Sequence, residues 1–270
     1  MDCFRIPLVP SEISHGFFGR RGGVSQGVYA TLNCAHGIGD EEHHVTENRL
    51  RTLQALFPNK PASDPVPLIV NKQIHSTTVH LVTQDHGLPS SPLEGDGLVT
   101  QIPQVALAVM TADCAPILFY CPISKTIGAC HAGWRGAFHG VIQETVATMV
   151  SVGAQVTHMI SMVGPCIAQA SYEVDEAFRQ NFMDQSPLHQ CFFIPSPVDN
   201  ASHKWNFDLR GYVTHQLQAA GINRIEHIAL DTYAEETLLF SCRRNSHQQH
   251  SRFGDQVSLI ALAYSESPFK

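Results

Sequence analysis

The chain is short of charge. Only 15% of its 270 residues are Asp, Glu, Lys or Arg, and 17 basic against 24 acidic side chains leave a formal charge of −7. Such a balance supplies no broad cationic surface, so neither a nucleic-acid binder nor a membrane binder is expected. A local basic pocket is compatible with it. Long apolar runs are missing as well, since no segment reaches the about 18 uninterrupted apolar residues of a spanning helix. The start, Met1-Asp2-Cys3-Phe4-Arg5-Ile6, lacks the basic-then-apolar pattern of a secretory leader, which makes a cytoplasmic protein the expectation. The eight cysteines lie at 3, 34, 114, 121, 130, 166, 191 and 242, too diffusely for a compact disulfide scaffold, and are expected to be reduced. Nothing repeats at a fixed period, which excludes a solenoid.

What is present points to a folded enzyme-sized unit. A hydrophobic content of 43% is enough to offset the entropy of ordering the backbone, so residues 1–270 are expected to form a single domain, and a monomer is the simplest assembly. At this length folding buries roughly 70–75% of the unfolded surface, and no staple is required. Histidine is unusually frequent, at 16 residues, and no terminal tag accounts for it. Metal or proton chemistry gains weight from that count.

Periodicity predicts an α+β chain. Asp40 reads as the cap of a helix through Val45, Arg49, Leu50, Leu53, Leu56 and Phe57, with Arg49 burying its stem and Pro58 ending the run. Strands are predicted at Leu68–Val70, around Leu98-Val99, over Val105–Met110, at Ile117–Tyr120 and at Ile127–Cys130. From Phe138 to Val150, apolar residues at intervals of three and four predict one continuous helix. The apolar run 156–163 reads as a return to a sheet. Val174, Phe178 and Phe182 mark a short helix, and Asp208 caps another through Leu217 to Gly221. Further strands are expected at 225–230 and 257–263.

The chemistry-bearing residues sit in the turns. Thr111-Ala112-Asp113-Cys114 lies at a strand exit, and Cys130-His131-Ala132-Gly133-Trp134-Arg135-Gly136 precedes a helix. Cysteine and histidine suit zinc, and His75, in Lys72-Gln73-Ile74-His75-Ser76, would be a third ligand leaving one tetrahedral position open. The steps from 75 to 114 and from 114 to 131 exceed the short spacings of a structural finger, so spacing alone does not single out this triad. Cys114 as a small buried hydrophobe and two hydrogen-bonded histidines account for it equally well. In Phe18-Gly19-Arg20-Arg21-Gly22-Gly23 the glycines expose backbone donors and Arg20 and Arg21 suit an anion, although a solvated turn is the plain alternative.

Four segments occur in order: Asn71-Lys72-Gln73-Ile74-His75-Ser76, Gly95-Asp96-Gly97-Leu98-Val99-Thr100, Thr111-Ala112-Asp113-Cys114-Ala115-Pro116-Ile117 and His131-Ala132-Gly133-Trp134-Arg135-Gly136. With Gly19–Ser25, Val163–Ile167 and Phe240–Arg244 on either side, the chain resembles the YfiH-like family, also called multicopper polyphenol oxidases or laccase-domain proteins, over nearly its whole length. The resemblance implies a layered α/β sandwich of two central sheets covered by helices. It implies zinc on His75, Cys114 and His131, and phosphorolysis of adenosine, inosine and methylthioadenosine with deamination of adenosine. Purine nucleosides and inorganic phosphate are then the expected partners. Copper (Cu2+) and phenol oxidation form the competing reading. Zinc has no redox cycle, and a multicopper site needs several centres that one Cys/His set does not provide. A binding protein merely tied together by zinc is a third possibility, and hydrolysis by Cys114 activated by His131 a fourth.

Within this frame Arg20, Arg21 and Arg135 are candidates to receive phosphate, with Arg135 beside His131 the most pointed of them. Asn33 is a candidate to orient ribose or phosphate. Asp113 is a candidate to move a proton, although its adjacency to Cys114 leaves its direction open. Relatives often carry Asn-Leu-Gly-x-His-x-Gly-Asp in the early loop, where this chain has Asn33-Cys34-Ala35-His36-Gly37-Ile38-Gly39-Asp40. Gly37 stands at the expected histidine.

Overall fold

The computed structural model describes residues 1–7, 10–61, 63, 66–85, 88–197 and 204–263. The amino-terminal part contains β1 (Cys3–Phe4), β2 (Ile13–Phe18), α1 (Glu42–Leu56), β3 (Leu68–Val70), β4 (Val79–Val82) and β5 (Gly97–Thr100). The centre contains β6 (Ala106–Thr111), β7 (Ala115–Cys121), β8 (Thr126–Ala132), α2 (Trp134–His139), α3 (Val141–Ser151) and β9 (Ile160–Val163). There follow β10 (Glu173–Val174), α4 (Glu176–Gln185), β11 (Phe193–Pro195), β12 (Trp205–Phe207) and α5 (Leu209–Ala219). The chain continues through β13 (Arg224–His227), α6 (Cys242–His247) and β14 (Gln256–Leu262).

Two mixed sheets form the centre, one ordered β1-β2-β14-β6-β3 and the other β13-β9-β7-β8-β5-β4, while β10-β12-β11 make a small antiparallel sheet. The two large sheets pack face to face. Leu107, Val109 and Ile260 of the first meet Leu118, Tyr120, Ile127 and Met162 of the second in one apolar layer. Because strand side chains alternate, Ile117 and Phe119 point the other way, onto Val141, Ile142 and Met149 of α3 and Leu217 of α5. Ala106, Ala108 and Met110 likewise turn from the central layer toward Leu53 and Leu56 of α1. The result is an α+β fold in four layers, and it explains why β6, β7, β8 and β14 read as continuous apolar runs: both of their faces are covered. Each large side chain so buried contributes roughly 1.5–3 kcal/mol. No described helix is long and apolar enough to cross a membrane.

Three local expectations need correction. The helix predicted across Phe138–Val150 is two helices, because Gly140 adopts φ 105° in the left-handed region, closing α2 and opening α3. Val150, assigned to the inward face, is 44% exposed. Asp40 does not cap α1, whose preceding residue is Glu41; its carboxylate instead accepts from Ser25 Oγ at 2.6 Å and Asn33 Nδ2 at 2.9 Å, tying down the early loop. The run at 156–163 opens as a short 3-10 turn before β9, whereas Asp208 caps α5 as expected by accepting from the Gly211 amide.

His15 on β2 accepts a hydrogen bond from the Ile6 amide at 3.0 Å through Nε2, which requires an unprotonated nitrogen. Burial, reinforced by the Arg5 charge, brings its pKa down to about 4. The unfolded chain therefore binds one more proton than the folded one between about pH 6.5 and pH 4. Stability is expected to fall across that window as the pH drops, by on the order of 3 kcal/mol from this residue. Denaturant melts of His15→Gln should show a shallower acid limb than the parent protein; parallel limbs would refute the assignment.

Candidate metal centre

The two sheets bring two turns and a strand end together. Cys114 stands between β6 and β7, where the chain passes from one large sheet to the other, and His131 lies near the end of β8. His75 follows β3 in a loop. Its φ of 59° and the φ of 93° at Asp113 are left-handed conformations that non-glycine residues adopt at a cost of about 1–3 kcal/mol each. Both are held by specific bonds. Asp113 accepts from Thr232 Oγ1 at 2.6 Å and the Arg243 amide at 2.7 Å, and its carbonyl accepts from the Ile167 amide. The His75 amide donates to Asp96 Oδ1 at 3.0 Å.

One ligand atom from each of His75, Cys114 and His131 lies within 4.8 Å of the others, and Cys114 Sγ is 3.7 Å from His75 Nε2. This spacing and donor set fit one metal ion bound by two imidazoles and a thiolate, with a position left open. His131 Nδ1 is bonded to Asp96 Oδ1 at 2.8 Å, which directs its proton to the carboxylate and leaves Nε2 free to ligate. The same carboxylate accepts from the amides of Ile74 and Ser76 and from Ser76 Oγ. Burial alone would raise the Asp96 carboxyl, but its bonds to His131 and Ser76 prevail and hold it at about 2. Burial and the charge of His131 push the His75 ring down, favouring the neutral, ligating form. Burial pushes the Cys114 thiol up, with Asp113 adding to the effect, so a cation is what makes its thiolate favourable. That argues against a metal-free Cys114 nucleophile.

The three ligands open into a cavity of about 570 Å³, within the range of small-molecule sites. Arg49 of α1 forms part of its wall. The Arg49 Nε donates to the Cys34 carbonyl at 2.7 Å, and its two terminal nitrogens make no hydrogen bond among the described residues. Asp255, just before β14, contributes a carboxyl with no hydrogen-bonded partner among the described residues; burial, with Asp113 adding to it, pushes this group up to about 7. Thr111, across from Gln256 on β6, has a buried hydroxyl with no hydrogen-bonded partner among the described residues. His36 lines the cavity too and pairs with Glu42, while Gly37 beside it faces open space.

The structure separates the residues predicted for substrate. Arg21 is exposed and pairs with Asp2, and Arg20 donates to the carbonyls of Ala30 and Glu236 and stacks over Phe240; neither lines the cavity. Asn33 is fully buried, and its Oδ1 accepts from the amides of Ala35 and Asp255. Asp113 turns toward Thr232 and Arg243 and is absent from the cavity wall. Arg135 is exposed, stacks on Trp134, and its charge is felt by His75. Sequence reasoning missed Asp96, Arg49 and Asp255 as site residues. The Gly-Asp-Gly turn was a usable signal for Asp96. Arg49 hid in a helical pattern, and a lone Asp before a strand carries no signal at all.

Fold and site together define a layered α+β protein with a candidate His/Cys/His metal-ligand set opening into a cavity of small-molecule size. The chain belongs to the YfiH-like family, and the family described as multi-copper polyphenol oxidoreductase laccase matches residues 14–263. It is 33% identical over 218 residues to a purine nucleoside phosphorylase of Rickettsia prowazekii, covering 80% of this chain and 86% of the relative. It is also 33% identical to the Shigella flexneri purine nucleoside phosphorylase YfiH over 227 residues, 84% of this chain and 86% of that one. A crystal structure of a Neisseria meningitidis protein of the DUF152 family superposes with a TM-score of 0.82 at 30% identity, covering 97% of this chain and 98% of the other.

Two substitutions test the site. Asp96→Asn weakens the acceptor that holds His131 and the His75 loop, and metal affinity is expected to fall by about 10- to 100-fold in competition with a chromogenic chelator. A Cβ on Gly133 would lie 2.8 Å from His75 Cδ2 and 2.9 Å from Cys114 Sγ, closer than such contacts allow. Gly133→Ala should therefore lower the zinc content of protein purified without added metal; full retention would show that the triad does not need this space.

Proposed function

We propose that this protein is a zinc-dependent purine nucleoside phosphorylase acting on adenosine, inosine and methylthioadenosine, with deamination of adenosine as a second activity of the same cavity. One observation carries the reading: a ligand set with an open coordination position and a guanidinium with unused donors line a single cavity of about 570 Å³. The relatives named purine nucleoside phosphorylases supply the reaction class. A zinc ion on His75, Cys114 and His131 would supply Lewis-acid polarisation at its open position. In phosphorolysis a phosphate oxygen bonds to ribose C1′ as the bond from C1′ to the purine nitrogen breaks, and a proton reaches the departing base. Arg49 is the group in the wall suited to receive the phosphate, since its terminal nitrogens offer parallel donors to two oxygens. Arg135, exposed near His75, is a second cation for the incoming anion. Arg20 and Arg21 are already engaged elsewhere.

The family description favours a second reading, copper-dependent oxidation of phenols. That chemistry requires several copper centres, and among the described residues one cluster of three ligands has metal-binding geometry. Metal analysis separates the readings. One zinc per chain, and no oxygen uptake with phenols, is expected.

The deciding assay follows adenosine with and without inorganic phosphate on protein of measured zinc occupancy. Adenine and ribose 1-phosphate, appearing only with phosphate, are expected; inosine marks the deaminase activity. Zinc-loaded protein that forms none of these overturns the reading. Cys114→Ala is expected to lose zinc and turnover together. Arg49→Gln should retain zinc while the KM for phosphate rises about tenfold or more, the loss typical of one charged hydrogen bond.

A further inference from the structure

One aromatic ring in the cavity wall is left alone by the rest of the protein. Phe253 is half-buried and is the only Phe, Tyr or Trp among the described residues of the wall. It joins none of the three apolar clusters and stacks on no other ring among the described residues, whereas Phe178, Phe182 and Phe207 pack against several rings each. Its backbone is nevertheless fixed on both sides. The Arg252 carbonyl accepts from Asn245 Nδ2 at 3.0 Å, and the Asp255 amide donates to Asn33 Oδ1 at 3.0 Å. Gly254 lies between them, buried, where a Cβ would stand 2.8 Å from the Phe240 ring. With this middle residue pressed on Phe240, Phe253 and Asp255 both contribute to the cavity wall. An apolar face exposed in a cavity is stabilised by a flat ligand that covers it.

The side chains of the wall that could read the edge of a base are engaged by the protein. Amides suit that task because they place a donor beside an acceptor. Gln73 Nε2 donates to the Met110 carbonyl at 2.7 Å, and its Oε1 accepts from the Met110 amide at 2.8 Å. Asn71 Nδ2 donates to the Gly97 carbonyl at 2.9 Å. Neither amide therefore presents a free donor and acceptor pair. Lys72 is paired with Glu94, and His36 with Glu42. A ring face, by contrast, is common to every purine whatever stands at its edge. The electron-rich face of Phe253 also disfavours an anion, which separates it from the phosphate position at Arg49.

Resting on the nucleoside reading above, we infer that Phe253 is the platform on which the nucleobase stacks, so that the cavity recognises its substrate by the ring face. The site then prefers purines to pyrimidines by area and accepts 6-amino and 6-oxo purines alike.

Calorimetric titration of zinc-loaded protein in phosphate-free buffer checks this, with inosine, hypoxanthine, adenine and uridine as ligands that the proposed activities leave intact there. In the parent protein adenine and hypoxanthine should bind within about threefold of each other, and inosine roughly fivefold more tightly than uridine, in keeping with the area of the second ring. Phe253→Ala should weaken adenine, hypoxanthine and inosine alike by about tenfold, the loss typical of one stack of a base on an aromatic side chain. Zinc content and the affinity for inorganic phosphate should stay at the parent level. Phe253→Leu keeps apolar bulk without a flat face, guards against collapse of the wall, and should lose most of the same affinity. Phe253→Trp should retain binding, and its added emission, measured against the parent with Trp134 and Trp205, should be quenched by adenine. Folded, zinc-loaded Phe253→Ala and Phe253→Leu that bind purines as the parent does overturn the inference alone. A loss confined to inosine also overturns it, because the ring would then lie against the ribose, and so does loss of zinc, which would assign Phe253 to the metal centre. Discrimination of about tenfold or more between adenine and hypoxanthine counts against it too, as the mark of an edge reader such as Asp255. A parent protein that binds none of the four removes the nucleoside reading and the platform with it.

Discussion

The Asp96 carboxylate is the point through which the metal centre is assembled. Its two oxygens accept from the amides of Ile74, His75 and Ser76, from Ser76 Oγ and from His131 Nδ1. One buried group thereby joins a loop that follows β3 to the end of β8, which belong to different sheets. It also sets the state of both histidines. The ring of His131 is held in the tautomer that presents Nε2, and the left-handed backbone of His75 is stabilised by the bond to its amide. The cost of burying such a carboxylate is met by the number of donors around it.

The remaining ligand depends on a second carboxyl with a different task. Asp113 adopts a positive φ in the turn that carries the chain from β6 to β7, and its bonds to Thr232 and Arg243 fasten that turn to the carboxy-terminal part of the protein. Cys114 emerges from this turn facing the cavity. The turn that aims the thiol at the metal site directs the Asp113 carboxylate away from it, to Thr232 and the Arg243 amide. A residue whose position suggested proton transfer is thus an anchor of the fold. Asn33 presents a parallel case, since its amide binds the backbone of Asp255 rather than opening into the cavity.

Much of the scaffold was legible because burial leaves a periodic mark. The apolar runs over β6, β7, β8 and β14 predicted strands, and these strands are the centre of the two packed sheets. Legibility failed where a single backbone angle decided the outcome: the left-handed turn at Gly140 splits a helix whose apolar spacing runs on unbroken. Among the site residues, the ligand types and their motifs could be read, and the residues that tune or fill the site could not. Arg49 matched a helical pattern in which a buried stem was explanation enough, and Arg20 and Arg21 looked free because carbonyls and an acid that occupy them come from distant segments.

The amino-acid sequence by itself determined where most helices and strands lie, that the run over β6 is a strand covered on both sides, and that His75 and Cys114 stand outside the regular elements. Local pattern carries that information because each element's periodicity records how many of its faces meet other protein. Only the tertiary structure decided that positions 75, 114 and 131 converge, that Arg49 and Asp255 share their cavity, and that Asp113 and Asn33 do not face it. Those outcomes depend on which elements lie opposite one another across packed sheets. A segment's own periodicity reports that a face is covered without saying by what.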